Sequence, residues 1–320
     1  MKDEDFNVLA LDTSNYTTSV AIVSKTEKII LERRTFLRVK QGERGLRQSD
    51  ALFQHNQNLP AIIEDCFVNV SPSSIRGIAV SDKPRPISGS YMPVFRAGLS
   101  VGKILASALE VPLFRFSHQE GHVAAALFGS CINSDEPFLA FHLSGGTTEL
   151  LYVSEKTIVK IGGTKDISFG QVIDRIGVKM GLEFPAGKQM DIYALKGKTG
   201  SYQNKTKLRP VHLQGLDINL SGLESEAMRW IENENPDFET LSSELLTTIG
   251  ESLMRWMEAA VKKSGCTKIL FTGGVASSET LRKILSGEPK NVGDVHFGKP
   301  ALSTDNAVGI GILGVKELWP

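Results

Sequence analysis

The feature that most limits how this chain can fold is an internal repeat. Residues 9–23 read LALDTSNYTTSVAIV and residues 139–153 read LAFHLSGGTTELLYV. Laid over each other without a gap, at a constant offset of 130, they share Leu9/Leu139, Ala10/Ala140, Ser14/Ser144, Thr17/Thr147, Thr18/Thr148 and Val23/Val153. Each segment is an apolar run, a small polar turn and a second apolar run, which is the pattern of a β-hairpin. Short apolar segments also match by chance, so the elements after each hairpin decide. The first is followed by a predicted strand over 29–36, a helix near 49–67, a strand over 77–81, a helix near 96–109 and a strand over 111–116. Pro112 is acceptable there because the start of a strand needs no N–H for its ladder. The second is followed by a strand over 158–161, helices near 168–180 and 189–195, a long helix near 239–263, a strand over 269–272 and a helix from Ser277. Three strands and then alternating helix and strand, met twice, imply two mixed sheets with helices on their faces.

The chain's 320 residues exceed one ordinary core and read as two domains. Lys+Arg and Asp+Glu both number 36, so bulk charge does not attract nucleic acid. A nucleic-acid substrate would need a local basic patch or a partner subunit. Cys66, Cys131 and Cys266 form no CxxC pair, which fits a reducing compartment and argues against a disulfide framework or zinc knuckle. The acidic start MKDEDF runs straight into a strand, and no apolar run approaches the roughly 20 residues of a membrane span. A cytoplasmic protein with no membrane partner is expected.

Five segments carry candidate chemistry. The Gly/Ser/Thr hairpin tips offer backbone N–H groups and hydroxyls to a phosphate without a bulky side chain in the way. Two such tips facing each other would hold a nucleotide's phosphates between the halves. In FTGGVAS, Gly273 and Gly274 end a strand before a helix, where the backbone can approach a base or ribose; tight packing alone also explains such glycines. In SHQEGH, His118 and His122 stand four apart and share a helix face, so two imidazoles could meet on one ion. Histidines at this spacing also occur as capping or surface pairs. The best third ligand is Asp305 in LSTDNAVGIG, whose other ordinary role is to cap the terminal helix.

SHQEGH, LSGGTTE, FPAGKQMD, INLSGLE, FTGGVASSETLR and STDNA, in this order over roughly residues 8–318, resemble the motifs of the TsaD/Gcp family, once called glycoproteases. The resemblance implies a duplicated two-lobe α/β fold of the actin/hexokinase/chaperone-ATPase (ASKHA) type. Residues 1–116 would form one lobe, closed by a C-terminal helix at about 304–320, and 117–303 the other. The implied activity is transfer of a threonylcarbamoyl group from its adenylate to the exocyclic amine of adenosine in tRNA, with possible partner subunits of that system. It further implies that His118, His122 and Asp305 bind one divalent metal, iron or zinc. Leu143, Ser144, Gly145, Gly146 and Thr147 would surround the phosphate and acyl part of an adenine nucleotide or of threonylcarbamoyl-adenylate. Asp174 and Asp191 would bond the ribose, Gly187 would line it, and Gly273, Gly274 and Ser278 would sit at the adenine.

The departures from the family pattern concern catalysis. Tyr16 and Thr17 stand where the family has an acidic pair, so no catalytic base is evident. A Gly-Pro-Gly loop is replaced by SDKPRPISGSYMPVF. Thr147, Gln171, Glu224 and Ser278 replace a histidine, an acid, a lysine and an asparagine. A divergent paralogue is expected, either with reduced activity or acting as a non-catalytic nucleotide- and metal-binding scaffold for a related protein. A metallopeptidase ranks low, because Glu120 is not placed as in HExxH to act as a general base. A sugar or acetate kinase of the same fold is weakened by the histidine pair, which it does not need.

Overall fold

The computed structural model describes residues 6–14, 16–39, 46–130, 132, 136–154, 157–197, 207–287 and 292–320. Cys131 lies outside the described residues. The chain divides into two compact units, one of Met1–Phe128 with Asp305–Pro320 and one of Gly129–Thr304.

The first unit runs β1 (Asn7–Asp12), β2 (Thr17–Ser24), β3 (Ile29–Phe36), α1 (Gln48–Asn69), β4 (Ile75–Lys83), α2 (Phe95–Leu109), β5 (Leu113–Ser117) and α3 (His118–Leu127). The second runs β6 (Phe138–Leu143), β7 (Thr148–Ser154), β8 (Thr157–Thr164), α4 (Phe169–Lys179), α5 (Gly187–Lys196), β9 (Leu213–Gln214), β10 (Asp217–Ile218), α6 (Ser221–Glu234), α7 (Phe238–Ser264), β11 (Lys268–Thr272), α8 (Glu279–Gly287) and β12 (Asp294–Phe297). The terminal helix α9 (Val308–Leu318) returns to the first unit.

The two sheets have the same core. The first is ordered β3-β2-β1-β4-β5 and the second β12-β11-β6-β7-β8-β10-β9, so β8-β7-β6-β11-β12 repeats the first order, with β10 and β9 added at one edge. In both, the hairpin is antiparallel and its first strand pairs in parallel with the strand beyond. The register agrees as well. Val8↔Val23, Leu9↔Ile22 and Asp12↔Ser19 in the first hairpin become Phe138↔Val153, Leu139↔Tyr152 and His142↔Glu149 in the second, each displaced by the 130 residues of the sequence repeat. β1, β2 and β6 are buried along their whole length, which is why they read as near-continuous apolar runs.

Several elements differ from expectation. β5 begins at Leu113, because Pro112 lies just before it and offers only its carbonyl, to Ile78 N–H. The helix expected from Ser277 is a short 3₁₀ turn, Val275–Ser277, followed by α8 from Glu279. The helix α6 and the strands β9, β10 and β12 had no sequence-based counterpart. The unit boundary also falls after α3 rather than before it. α3 packs on α9, and only glycines permit so close an approach: a Cβ on Gly309 would lie 1.9 Å from Gly121 O, and one on Gly121 2.8 Å from Ile310 Cδ1.

Candidate functional site

The crossing of α3 and α9 sets the first site. Ser117 caps α3, its Oγ accepting from Glu120 N–H while Glu120 Oε2 accepts from Ser117 N–H at 2.6 Å. Glu120 is therefore committed to the helix start. His118 and His122 share one face, with rings 4.3 Å apart and their Nε2 atoms at 2.9 Å. At the start of α9 the capping role falls to Asn306, whose Oδ1 accepts from Val308 N–H at 3.0 Å. This leaves Asp305 for the imidazoles: its Oδ1 lies 3.4 Å from Nε2 of each histidine. One ligand atom from each of the three residues falls within 4.8 Å of the others.

A fourth residue completes the cluster. Asp12, at the end of β1 and 1% exposed, places Oδ2 at 2.8 Å from His118 Nδ1. Its Oδ1 accepts from Ser14 N–H at 2.9 Å and from Ser81 Oγ–H at 2.8 Å. Asp12 was not legible in the sequence, because it precedes His118 by 106 residues and belongs to no ligand spacing.

The charges are tightly coupled. Burial works against the charged form of His118, but Asp12 and then Asp305 outweigh it and hold its pKa up at about 10. Burial, followed by the neighbouring His118 charge, holds His122 below its ordinary value. Burial would raise Asp305, but hydrogen bonds from His118 and His122 and their charges hold it far below the usual carboxylate range. Asp12 is likewise lowered, His118 overcoming the effect of burial.

This donor set suits a divalent ion. Two carboxylates and one protonated imidazole leave one excess negative charge, and an ion that displaces the Nε2 proton of His118 neutralises the cluster. An ion with bonds of roughly 2.1 Å and near-tetrahedral angles spaces its donors about 3.4 Å apart. The aspartate contacts already match, and the imidazole pair needs to open by about 0.5 Å to reach that spacing.

The remaining candidates lie in the second unit. Leu143 ends β6 and Ser144–Thr147 form the tip, closed by Ser144 N–H to Thr147 O at 2.8 Å and Thr147 N–H to Ser144 Oγ at 3.0 Å. The N-terminus of α4 lies against this tip, and Ser168 Oγ–H donates to Gly145 O at 2.7 Å. A side chain added at Gly145, Gly146 or Gly274 would meet nothing within 4 Å, so the backbone is open to a ligand at all three. Gly273, at φ +96°, is different: a Cβ there would lie 2.3 Å from Leu143 O. The turn after β11 is further fixed by Arg282, which donates to Ala276 O and Gly298 O.

Asp191 and Ser278 are brought together, Ser278 Oγ–H donating to Asp191 Oδ1 at 2.6 Å. Asp191 also accepts from Thr280 N–H on Oδ1 and from Glu279 N–H on Oδ2, capping α8 and leaving one Oδ2 lone pair for a hydroxyl. Asp174 Oδ1 accepts from Ala186 N–H at 2.8 Å, immediately before Gly187. Tyr16 is 45% exposed, and Thr17 is buried at the start of β2 opposite Phe36. Gln171 forms a capping box with Ser168, and Glu224 pairs with Arg175.

A family model described as "TsaD: tRNA N6-adenosine threonylcarbamoyltransferase" matches residues 31–312. A Staphylococcus aureus protein named tRNA N6-adenosine threonylcarbamoyltransferase is 29% identical, over 97% of this chain and 91% of its own length. One of the same name from Christiangramia forsetii is 27% identical over 98% and 94%. Among solved structures, HypF of T. kodakarensis superposes with a TM-score of 0.64 at 14% identity, covering 98% of this chain; this chain spans about half of HypF, 48%. Component A of the (R)-2-hydroxyglutaryl-CoA dehydratase of Acidaminococcus fermentans superposes at 0.55, with 12% identity and 98% of both chains covered. These likenesses establish the fold as the duplicated ASKHA type. No helix among the described residues is long and apolar enough to cross a membrane.

Proposed function

This chain belongs to the TsaD family, and from that membership we propose that it transfers a threonylcarbamoyl group from threonylcarbamoyl-adenylate to the exocyclic amine of an adenosine in tRNA. The match over residues 31–312 carries the reading. The amine nitrogen attacks the carbamoyl carbonyl carbon, a C–N bond forms, the C–O bond to the adenylate phosphate breaks, and AMP leaves as the amine gives up a proton.

The roles divide between the units. His118, His122 and Asp305 hold one divalent ion, iron or zinc, which when bound supplies Lewis-acid polarisation. Leu143–Thr147 receive the phosphate and acyl part, with Gly145 and Gly146 admitting it close to the backbone. Asp191, through its remaining lone pair, and Asp174 bond the ribose beside Gly187. Gly273, Gly274 and Ser278 face the adenine. The cytoplasm is the proposed location, with partner subunits of the threonylcarbamoylation system supplying basic surface for tRNA.

In the place of the family's acidic pair stand two hydroxyl side chains, Tyr16 and Thr17, and no carboxylate to take the amine proton. That observation favours a second reading, a nucleotide- and metal-binding scaffold that partners a related enzyme. The test is incubation with threonylcarbamoyl-adenylate and unmodified tRNA, with and without candidate partners. A positioned base contributes roughly 10²–10⁴ in rate. The unaltered protein alone is therefore expected to be slow by about that factor, and Tyr16→Asp with Thr17→Glu is expected to raise its rate at least about tenfold. No modified adenosine under any condition, with nucleotide binding intact, would leave the scaffold reading standing.

A further inference from the structure

The structure assigns Asp12 as a positioning residue that aims His118 at the ion, although it is not itself a ligand. This role rests on the metal reading of the same site and concerns what makes one of the two imidazoles competent. His118 must present Nε2 toward Asp305 and His122, so its Nδ1 must carry a hydrogen and have an acceptor. An aspartate carboxylate only accepts, and Asp12 Oδ2 sits 2.8 Å from that Nδ1. A carboxylate holding the far nitrogen of a ligating histidine fixes both its tautomer and its ring orientation.

The carboxylate is itself held on both sides. Oδ1 takes hydrogen bonds from Ser14 N–H in the hairpin tip and from Ser81 Oγ–H at the end of β4, while Oδ2 faces α3. Asp12 therefore ties β1, the tip, β4 and α3 to one imidazole. Ser81, Asp12 and Ser14 are all fully or almost fully buried, so water does not compete for these bonds. Phe95, at the start of α2, meets the His118 ring edge-on at 6.3 Å and closes another side. Rotating the His118 ring would break this arrangement.

A rival role for Asp12 is to close the turn through Ser14 alone. Asp12→Asn separates the two. The amide oxygen can still accept from Ser14 N–H and Ser81 Oγ–H, so the turn survives. The amide nitrogen then faces His118 Nδ1 and can only donate, which forces the ring hydrogen onto Nε2, the atom that must ligate. Loss of an outer partner of this kind typically costs 10–100-fold in metal affinity.

Zinc affinity is measured by chelator competition on wild type, Asp12→Asn and Ser81→Ala, together with melting of each metal-free protein and ¹⁵N NMR of the His118 ring. The expected result is a drop of about 10–100-fold for Asp12→Asn, a smaller drop for Ser81→Ala, little change in metal-free melting, and an Nε2–H tautomer in Asp12→Asn. The tautomer separates aiming from simple loss of a nearby charge, which would weaken binding and leave Nδ1 protonated. Wild-type affinity in Asp12→Asn, or Nδ1–H retained there, overturns this inference alone. A wild type that binds no zinc overturns the metal reading and this inference with it. If Asp12→Asn does not fold, Ser81→Ala decides, and its unchanged affinity counts against the proposal.

Discussion

Asp12 closes β1, and at the matching place on β6 stands His142; beyond them Ser14 and Ser144 agree, but Thr13 stands against Leu143 and Tyr16 against Gly146. The strands leading into these tips share one register, so the backbone frame is common and the difference lies in the side chains. In the first unit the tip is pinned. Thr13 Oγ donates to Val94 O and accepts from Gly98 N–H, and Asp12 is tied to His118. In the second the glycines leave the backbone bare, and the Ser144 side chain closes the turn through Thr147 N–H. One hairpin has become an outer support for a cluster of ionisable groups, while its copy remains an open main-chain cradle. A duplicated fold can place two chemistries in this way without changing its sheet order.

The largest effect that could break this division is on metal content. His118→Ala with His122→Ala is expected to take bound iron or zinc from about one ion per chain to none while the protein stays folded, because a site with open positions is not what holds the unit together. Gly145→Ala should keep the wild-type ion. Metal analysis of the purified variants checks both, and an ion retained by the double variant would place it elsewhere in the molecule.

Much of this frame could be read from the chain, for physical reasons. Strands buried on both faces are apolar runs, so the 130-residue offset was visible, and α7 declared itself by its length and periodicity. The histidine pair was visible because helix geometry brings positions four apart together. Asp12 was not, since only the folded sheet brings β1 to α3. Nor could spacing choose between Asp305 as ligand and Asp305 as cap. In the structure Asn306 takes the cap, one residue along, and Asp305 lies against the two imidazoles. The helix α6 has apolar residues at helical spacing, Leu223, Ala227, Trp230 and Ile231, but its SGLE start reads as a motif loop. β9 and β10 are two residues each, too short to show any period.

A pair of glycine substitutions sharpens the contrast within the open tip. Gly273→Ala puts a methyl group 2.3 Å from Leu143 O at a φ of +96°, so the backbone must move, and a loss of at least about 2 kcal/mol in unfolding free energy is expected. Gly145→Ala meets nothing within 4 Å and should change stability by less than about 0.5 kcal/mol. Its cost should appear in binding instead, as a roughly tenfold weaker adenine nucleotide by calorimetry, equivalent to about 1.4 kcal/mol. Unchanged nucleotide affinity in Gly145→Ala would remove the cradle from the ligand's path.

The smallest effect concerns what the second unit has and the first lacks, the stretch from α4 to α6 placed between the third strand and the helix before β11. Asp166, just past β8, fastens that insertion. Its Oδ1 accepts from Leu220 N–H at 2.8 Å and Ile167 N–H at 2.7 Å, and its Oδ2 accepts from Ser221 N–H at 3.0 Å, at the start of α6. Burial pushes its carboxyl up, but these backbone donors outweigh that and hold it well below the usual range. A depressed folded pKa contributes stability that is fully present above the unfolded value near 4 and is lost as pH falls below it. The side chain is exposed, so the contribution is modest. Asp166→Asn, which turns a donor toward Ser221 N–H, should cost about 1 kcal/mol at pH 7. That gap should stay flat from pH 6 to 8 and narrow as pH drops below about 4, where the carboxylate of the unfolded wild-type chain starts to be protonated while the folded one stays ionised. Urea unfolding of both proteins at pH 7 and near pH 3.5 measures it, and a gap of equal size at both would show that the carboxylate's charge is not what holds the insertion.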